Sequence, residues 1–328
     1  MKLSLLHLIT LQLLRLIGLV VCVAFSVFML MKMSPIDPVN IYLGPAIAKV
    51  GPEQKLQIAA IWGLDRPYHE QFLSWAGGLL RGDLGYSITY NTSVAEVLRG
   101  RIGATLALAG FAWLLSGLLG FILGLISASF EGSWIDRSIR VYCYVLAATP
   151  TFWLAMLMLT VFSVQLGWTP ICCSGPIGVP FDQVTWWQSI HHLILPLTVL
   201  TLFGIAQITL HSRAKLIEVL RSDYIVFARA QGASRIDLIL RHGVRNAALP
   251  ALTVFFASIG EIFGGAILAE QVFAWPGLGR ATVEAGMRGD VPLLLAIAIV
   301  TTVIVATGNM IADLLYRLVD PRLRRVHD

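Results

Sequence analysis

Charge is what this chain has least of. Only 13% of its 328 residues are Asp, Glu, Lys or Arg, while 57% are hydrophobic and the mean hydropathy is +0.76. A soluble domain carries about 25% charged residues. A surface this poor in charge cannot all face water, which excludes a soluble globular protein and points to a polytopic membrane protein. The chain also lacks any Gly-Lys pair, and with it the G-x-x-x-x-G-K-[ST] loop that cradles nucleotide phosphates. H-E-x-x-H, G-x-S-x-G and the kinase signatures are missing too. An enzyme, and an ATPase in particular, is therefore not expected, and neither a catalytic residue nor a metal ligand nor a cofactor is assigned. The four cysteines, Cys22, Cys143, Cys172 and Cys173, have no metal-site or redox spacing and read as packing residues. His191 and His192 are adjacent, so on a helix they point roughly 100° apart and suit interfacial positions better than one metal.

Long apolar runs are plentiful. Six stretches reach the roughly 20 residues a helix needs to cross a bilayer, about 13–31, 103–130, 141–166, 193–211, 248–270 and 291–315. The first contains Arg15 and shows no small-residue cleavage site, so it reads as an uncleaved span. The organisation expected is 1–31 as the N-terminal segment and first span, 32–101 as an extracytoplasmic subdomain, 102–316 as a five-helix core with a cytoplasmic loop at 213–246, and 317–328 as a basic tail. Within 32–101, helices are expected over Pro52–Trp62 and His69–Leu80. In the second span, Ser116, Gly120 and Gly124 recur every four residues and mark a face where another helix approaches closely.

Basic residues set the orientation. Arg137 and Arg140 lie in one short link, Arg317, Arg322, Arg324 and Arg325 in the tail, and Arg213, Lys215, Arg221, Arg229, Arg235, Arg241 and Arg245 in the long loop. The stretch 167–190 has no Lys or Arg. Both termini are therefore expected in the cytoplasm. The same bias accounts for the net charge of +5 without a nucleic-acid partner. Trp168, Trp186 and Trp187 fall where an outer aromatic belt is expected.

Few polar residues fall at membrane depth. Glu261 stands mid-span, Gln207 and His211 share a face of the fourth span, and Asn309 and Asp313 share a face of the sixth. Intramembrane polar groups mark either a pathway or a helix–helix bond. Glu261, Asn309 and Gln207 are the candidates for a translocation lining. Pro196 and Pro250 are expected in first turns, where a missing N–H costs nothing. The loop "SDYIVFARAQGASRIDLILRHGVRNAALP" is different in kind. Ser222 is a plausible cap, Asp223 sits in the first turn of a short helix to Gln231, and Gly232 ends it. A second polar helix is expected over Ser234–Arg245. A short, Ala-rich helix facing the cytoplasm suits a groove on another protein.

From this stretch the chain resembles the inner-membrane permease subunits of ATP-binding-cassette importers, in the branch that takes up peptides and nickel. The likeness also covers "GLDRPYHEQFLSWAGGLLRGDLGYSITYNTSVAEVLRGRIGATLALA", "ATPTFWLAMLMLTVFSVQLGWTP", "HLILP", "FAWPGLGR" and "DPRLRR". It implies an all-α, six-span type I importer permease in a bacterial inner membrane. Val226, Phe227, Ala228, Arg229, Ala230, Gln231 and Gly232, followed by Ala233, would form the helix that couples to an ATPase. Two departures stand out: the motif's opening acidic residue falls at Val226, and the distance from Gly232 to Pro250 is longer than usual. The resemblance implies a homologous second permease subunit, two ATP-binding subunits that carry the ATP and magnesium, and an extracytoplasmic solute-binding protein. Within the branch, "IGEIFGGAILAEQVFAWPGLGR" and the tail lean toward nickel or a metal chelate, with small peptides as the alternative. An ion-coupled secondary transporter should show repeats with paired broken helices, and no convincing pair is found.

Overall fold

The computed structural model describes residues 5–34, 38–43, 50–61, 63–180 and 183–319. The chain is almost wholly helical. In order, the elements are α1 (Leu5–Met33), α2 (Pro38–Leu43), α3 (Pro52–Ile61), α4 (Tyr68–Leu80), a hairpin of β1 (Tyr86–Ser87) and β2 (Thr92–Ser93), and α5 (Val94–Ser129). Next come α6 (Trp134–Ala148), α7 (Thr151–Met158) running on as π-helix to Gln165, α8 (Trp186–Leu220), α9 (Asp223–Ala230) and α10 (Arg235–Asp237). A π-helical stretch, Leu238–Gly243, leads into α11 (Val244–Ala257), α12 (Ile259–Val272), α13 (Leu278–Arg288) and α14 (Val291–Val319).

Among the described residues five stretches are long and apolar enough to span a membrane: Thr10–Met33, Val94–Ser129, Trp186–Leu220, Pro250–Val272 and Val291–Ile311. The sixth, expected as one helix over 141–166, is instead a pair, α6 and α7, bent by 105°. The cause is Pro150. Its ring disfavours the helical conformation at the preceding residue, and Thr149 is extended at φ −92°, ψ 124°. The first-turn reading of the other two prolines is also corrected. Pro196 lies well inside α8 because that helix starts at Trp186, where Thr185 and Gln188 form a reciprocal capping box. Pro250 lies inside α11, because helical backbone already runs up to it from Arg235. For the same reason Ser234–Arg245 is not a separate polar helix but runs on without a break into the helix that opens the fifth span.

Two compact units divide the chain, with boundaries inside α5 and α14. The first comprises Thr105–Pro276 and the part of α14 from Thr307. At its centre α8 packs on α6, α7, α11 and α12. α5 reaches α8 through small residues, as expected. A Cβ on Gly120 would stand 2.9 Å from Ile208 Cβ, one on Gly124 2.8 Å from the Thr209 carbonyl oxygen, and one on Gly204 2.7 Å from Ser116 Oγ. With no hydrophobic force between helices in lipid, such close approach is what holds them.

The second unit comprises the described residues up to Ala104 together with Gly277–Ala306. Its core is formed by Val94, Val97 and Leu98 of α5 with Leu278, Ala281 and Ala285 of α13 and Leu293 and Ile297 of α14. Helices α3 and α4 occupy the places expected for them, and Trp62 lies outside the described residues. Asp290 pins the hairpin, accepting from Ser87 Oγ at 2.6 Å and from the Thr89 N–H at 2.9 Å. It also caps α14 at the Leu293 N–H, 3.2 Å away. The basic tail from residue 320 lies outside the described residues.

Candidate coupling site

Helix α9 is short, and Ile225 and Tyr224 seat it, the Tyr224 hydroxyl accepting from Asn246 Nδ2 at 3.2 Å. Ile225 is fully buried, while Val226 and Phe227 are 57% and 65% exposed. Arg229, Ala230, Gln231 and Gly232 are also exposed, and Ala228 and Ala233 are half-buried. The helix thus presents most of its residues, two large apolar ones among them, away from its own chain. Its ends are defined differently. Ser222 has cap geometry, but its hydroxyl donates back to the Val219 carbonyl at 2.6 Å and does not cap α9, contrary to expectation. At the other end Gly232 takes φ +91°, its N–H reaches the Arg229 carbonyl at 3.0 Å, and the Ala233 N–H reaches the Ala228 carbonyl at 3.2 Å. This Schellman pair satisfies carbonyls that the helix leaves open, and the left-handed residue is why glycine stands there.

The arms on either side of α9 are held by the turn between α5 and α6. Arg213 of α8 donates Nε and Nη2 to the two oxygens of Asp136, at 2.6 and 2.8 Å. Asp136 is buried and also accepts from Ser127 Oγ at 2.6 Å and the Gly132 N–H at 3.0 Å, with Arg140 Nε 3.4 Å away. Just past the end of α8, Arg221 bonds Glu131 at 2.7 Å, both side chains being well exposed. Beyond α9, Arg235 donates to the Ser129 carbonyl. Three of the loop's arginines, explained in the sequence only by their cytoplasmic placement, thus converge on one turn from both sides of the helix. The residues they meet carried a weak signal, since Ser133 and Asp136 have N-cap spacing and the Ser133 hydroxyl does accept from the Asp136 N–H. Nothing in the sequence ties that turn to a loop about eighty residues later.

The three candidate pathway residues are dispersed. Gln207 on α8, Glu261 at the start of α12 and Asn309 on α14 are each exposed on the single chain, and no hydrogen bond or ion pair joins any two of them. His211 bonds the Gln207 carbonyl at 2.9 Å rather than its side chain. The side chain of Asp313 lies outside the described residues. A carboxylate the sequence reading passed over, Glu270 at the end of α12, is the buried one, and accepts from Thr105 Oγ1 at 2.6 Å. Its position at a span terminus disguised it. His191 and His192 bond separate carbonyls, those of Trp168 and Cys172, at 2.9 and 2.8 Å. Among the described residues no cluster of three metal-ligating side chains occurs. Cys172 and Cys173, expected as packing residues, form a vicinal disulfide.

Apolar spans, among them a central α8 packed on α6, α7, α11 and α12, define a multi-pass membrane protein with a short exposed helix between the fourth and fifth. The chain belongs to the family of binding-protein-dependent transport system inner membrane components, whose family model matches residues 120–325. It is 36% identical over 297 residues to the oligopeptide transport system permease protein AppB of Bacillus subtilis, covering 90% of this chain and 92% of that one. It is 33% identical to the di/tripeptide transport system permease protein DppB of Pseudomonas aeruginosa, covering 94% of this chain and 97% of that one. Among solved structures, an inward-facing MetNI methionine ABC transporter matches with TM-score 0.55 at 16% identity, over 69% of this chain and 97% of that one. An amino acid ABC transporter with histidines matches with TM-score 0.50 at 16% identity, over 68% of this chain and 94% of that one. At that identity the likeness concerns the fold, which is that of a type I ABC importer permease. The protein is thus a multi-pass inner-membrane permease component of a transport system, not an enzyme.

Proposed function

We propose that this chain forms half of the translocation pathway of an ATP-driven importer of peptides, and that α9 is the helix through which a separate ATPase drives it. The observation that carries the coupling role is the exposure of Val226 and Phe227 on a helix whose one buried residue is Ile225. A helix so presented needs a partner's groove to cover it. Peptides are the proposed cargo because the curated relatives named above transport oligopeptides and di- or tripeptides. The lean toward nickel finds no support among them. A homologous second permease subunit, two ATP-binding subunits holding ATP and magnesium, and an extracytoplasmic solute-binding protein complete the assembly. Gln207, Glu261 and Asn309, exposed on one chain alone, are then placed to face the pathway or the second subunit.

In this mechanism, closure of the ATPase pair displaces α9. The Asp136–Arg213 bond and its neighbours pass the displacement to α5, α6 and α8, so that the spans open outward and then relax inward after hydrolysis. Replacing Phe227 with Asp puts a charge into the docking face without touching Ile225. The variant is expected to insert normally but to recover at least tenfold less ATPase on affinity purification, since a buried unpaired charge costs several kcal/mol. Wild-type recovery of ATPase and wild-type peptide uptake in Phe227→Asp would remove α9 from the mechanism.

A further inference from the structure

In the second unit, at the C-terminal end of α1, the structure holds a cavity of about 340 Å³ that the transport reading does not use. Its floor is apolar, with Phe28 and Leu295. Its polar lining is Lys32, Arg66, Ser74 and Trp75, together with Gln71, whose Nε2 donates to the Leu64 and Arg66 carbonyls at 3.1 and 2.7 Å. No carboxylate lines it, and among the described residues no ion pair reaches Lys32 or Arg66. Lys32 instead lies 5.6 Å from the ring centroids of both Phe28 and Tyr68. The Trp75 indole Nε1 is buried and, among the described residues, has no hydrogen-bond partner. Two cations and an unpaired N–H around one space, with no carboxylate answering them among the described residues, make a receptor for an oxyanion.

Position and floor narrow the choice. Lys32 is in the last turn of a helix whose apolar run, Thr10–Met33, spans a bilayer, so the cavity stands at the depth of the headgroups. Free inorganic phosphate gains nothing from Phe28 and Leu295, whereas a phosphodiester with acyl chains attached can use donors and floor together. We propose that this cavity binds the phosphate of an anionic phospholipid headgroup. Lys32 and Arg66 neutralise it, Trp75 and Ser74 donate to its oxygens, and the glycerol backbone rests on the apolar floor. The bound lipid fastens the end of α1 to α4 and to the start of α14. The inference does not depend on the substrate or on α9.

The test uses the assembled transporter in mild detergent, exposed to phosphatidylglycerol or phosphatidylcholine, with retained lipid counted by native mass spectrometry. The double variant Lys32→Gln, Arg66→Gln should lower retention of phosphatidylglycerol roughly tenfold while leaving phosphatidylcholine unchanged, and Lys32→Arg should preserve it. Ser74→Glu, at an exposed position, should reproduce the loss by placing a carboxylate in the cavity, and stands in if the double variant fails to assemble. Unchanged phosphatidylglycerol in the double variant or in Ser74→Glu overturns the proposal. An equal loss of both lipids overturns it as well, as does displacement of phosphatidylglycerol by millimolar inorganic phosphate.

Discussion

A carboxylate with no exposed surface, such as Asp136, persists only where each oxygen is answered. Here Arg213, Ser127 and Gly132 do so. Removing one partner of such a pair costs far more than the pair contributes, because the survivor keeps its charge without compensation. Asp136→Asn is expected to lower stability by about 3 kcal/mol, toward the small end of the usual range since Arg213 retains some exposure. Arg221→Gln, which breaks an exposed pair, should cost under about 1 kcal/mol. Thermal unfolding of the two variants in detergent orders them. A second residue-scale prediction concerns Glu284 of α13. Burial pushes its carboxyl up, but hydrogen bonds from Tyr90 and from Arg280, the latter at 2.7 Å, outweigh that and hold it below the usual carboxylate range. A depressed folded value means stability that is complete above the ordinary carboxylate range and lost as pH falls through the lower, folded value. Glu284→Gln should flatten the acid limb of the stability–pH curve and leave the neutral plateau lower.

At the scale of elements, α5 and α8 meet backbone to backbone. A Cβ on Gly124 would stand 2.6 Å from Ser212 Cβ and 2.8 Å from the Thr209 carbonyl oxygen, an atom that cannot rotate away. Gly124→Ala should therefore force the helices apart and cost about 1–3 kcal/mol, whereas Gly110→Ala, with nothing within 4 Å, should be neutral. Differential scanning fluorimetry of the two variants separates close packing from mere loss of glycine. The residues of this seam were legible in the sequence because four-residue spacing alone places Ser116, Gly120 and Gly124 on one face. The helix they meet was not, since many apolar helices offer small residues. The bend between α6 and α7 was hidden for a different reason. Hydropathy runs unbroken through Thr149 and Pro150, and only backbone sterics at the proline turn the chain.

For the whole molecule, the basic loops predict that both termini face the cytoplasm. Reporter fusions active only in the cytoplasm should report at either end, and a reporter inserted after Gly178 should stay silent. Activity of the Gly178 fusion would invert the topology.

Composition and periodicity alone determined that this protein is a multi-pass helical membrane protein, where five of its spans lie, and that a short helix stands exposed between two of them. These follow from local physics: apolar length, basic bias, and a glycine where the chain must turn left-handed at Gly232. Tertiary structure alone decided that Asp136 answers Arg213, that Glu270 is buried while Glu261 is exposed, and that Lys32, Arg66 and Trp75 surround one cavity. Each of these joins residues distant along the chain. A linear pattern records the character of each partner, but only the packed fold brings them within the few ångströms at which charges and hydrogen bonds act.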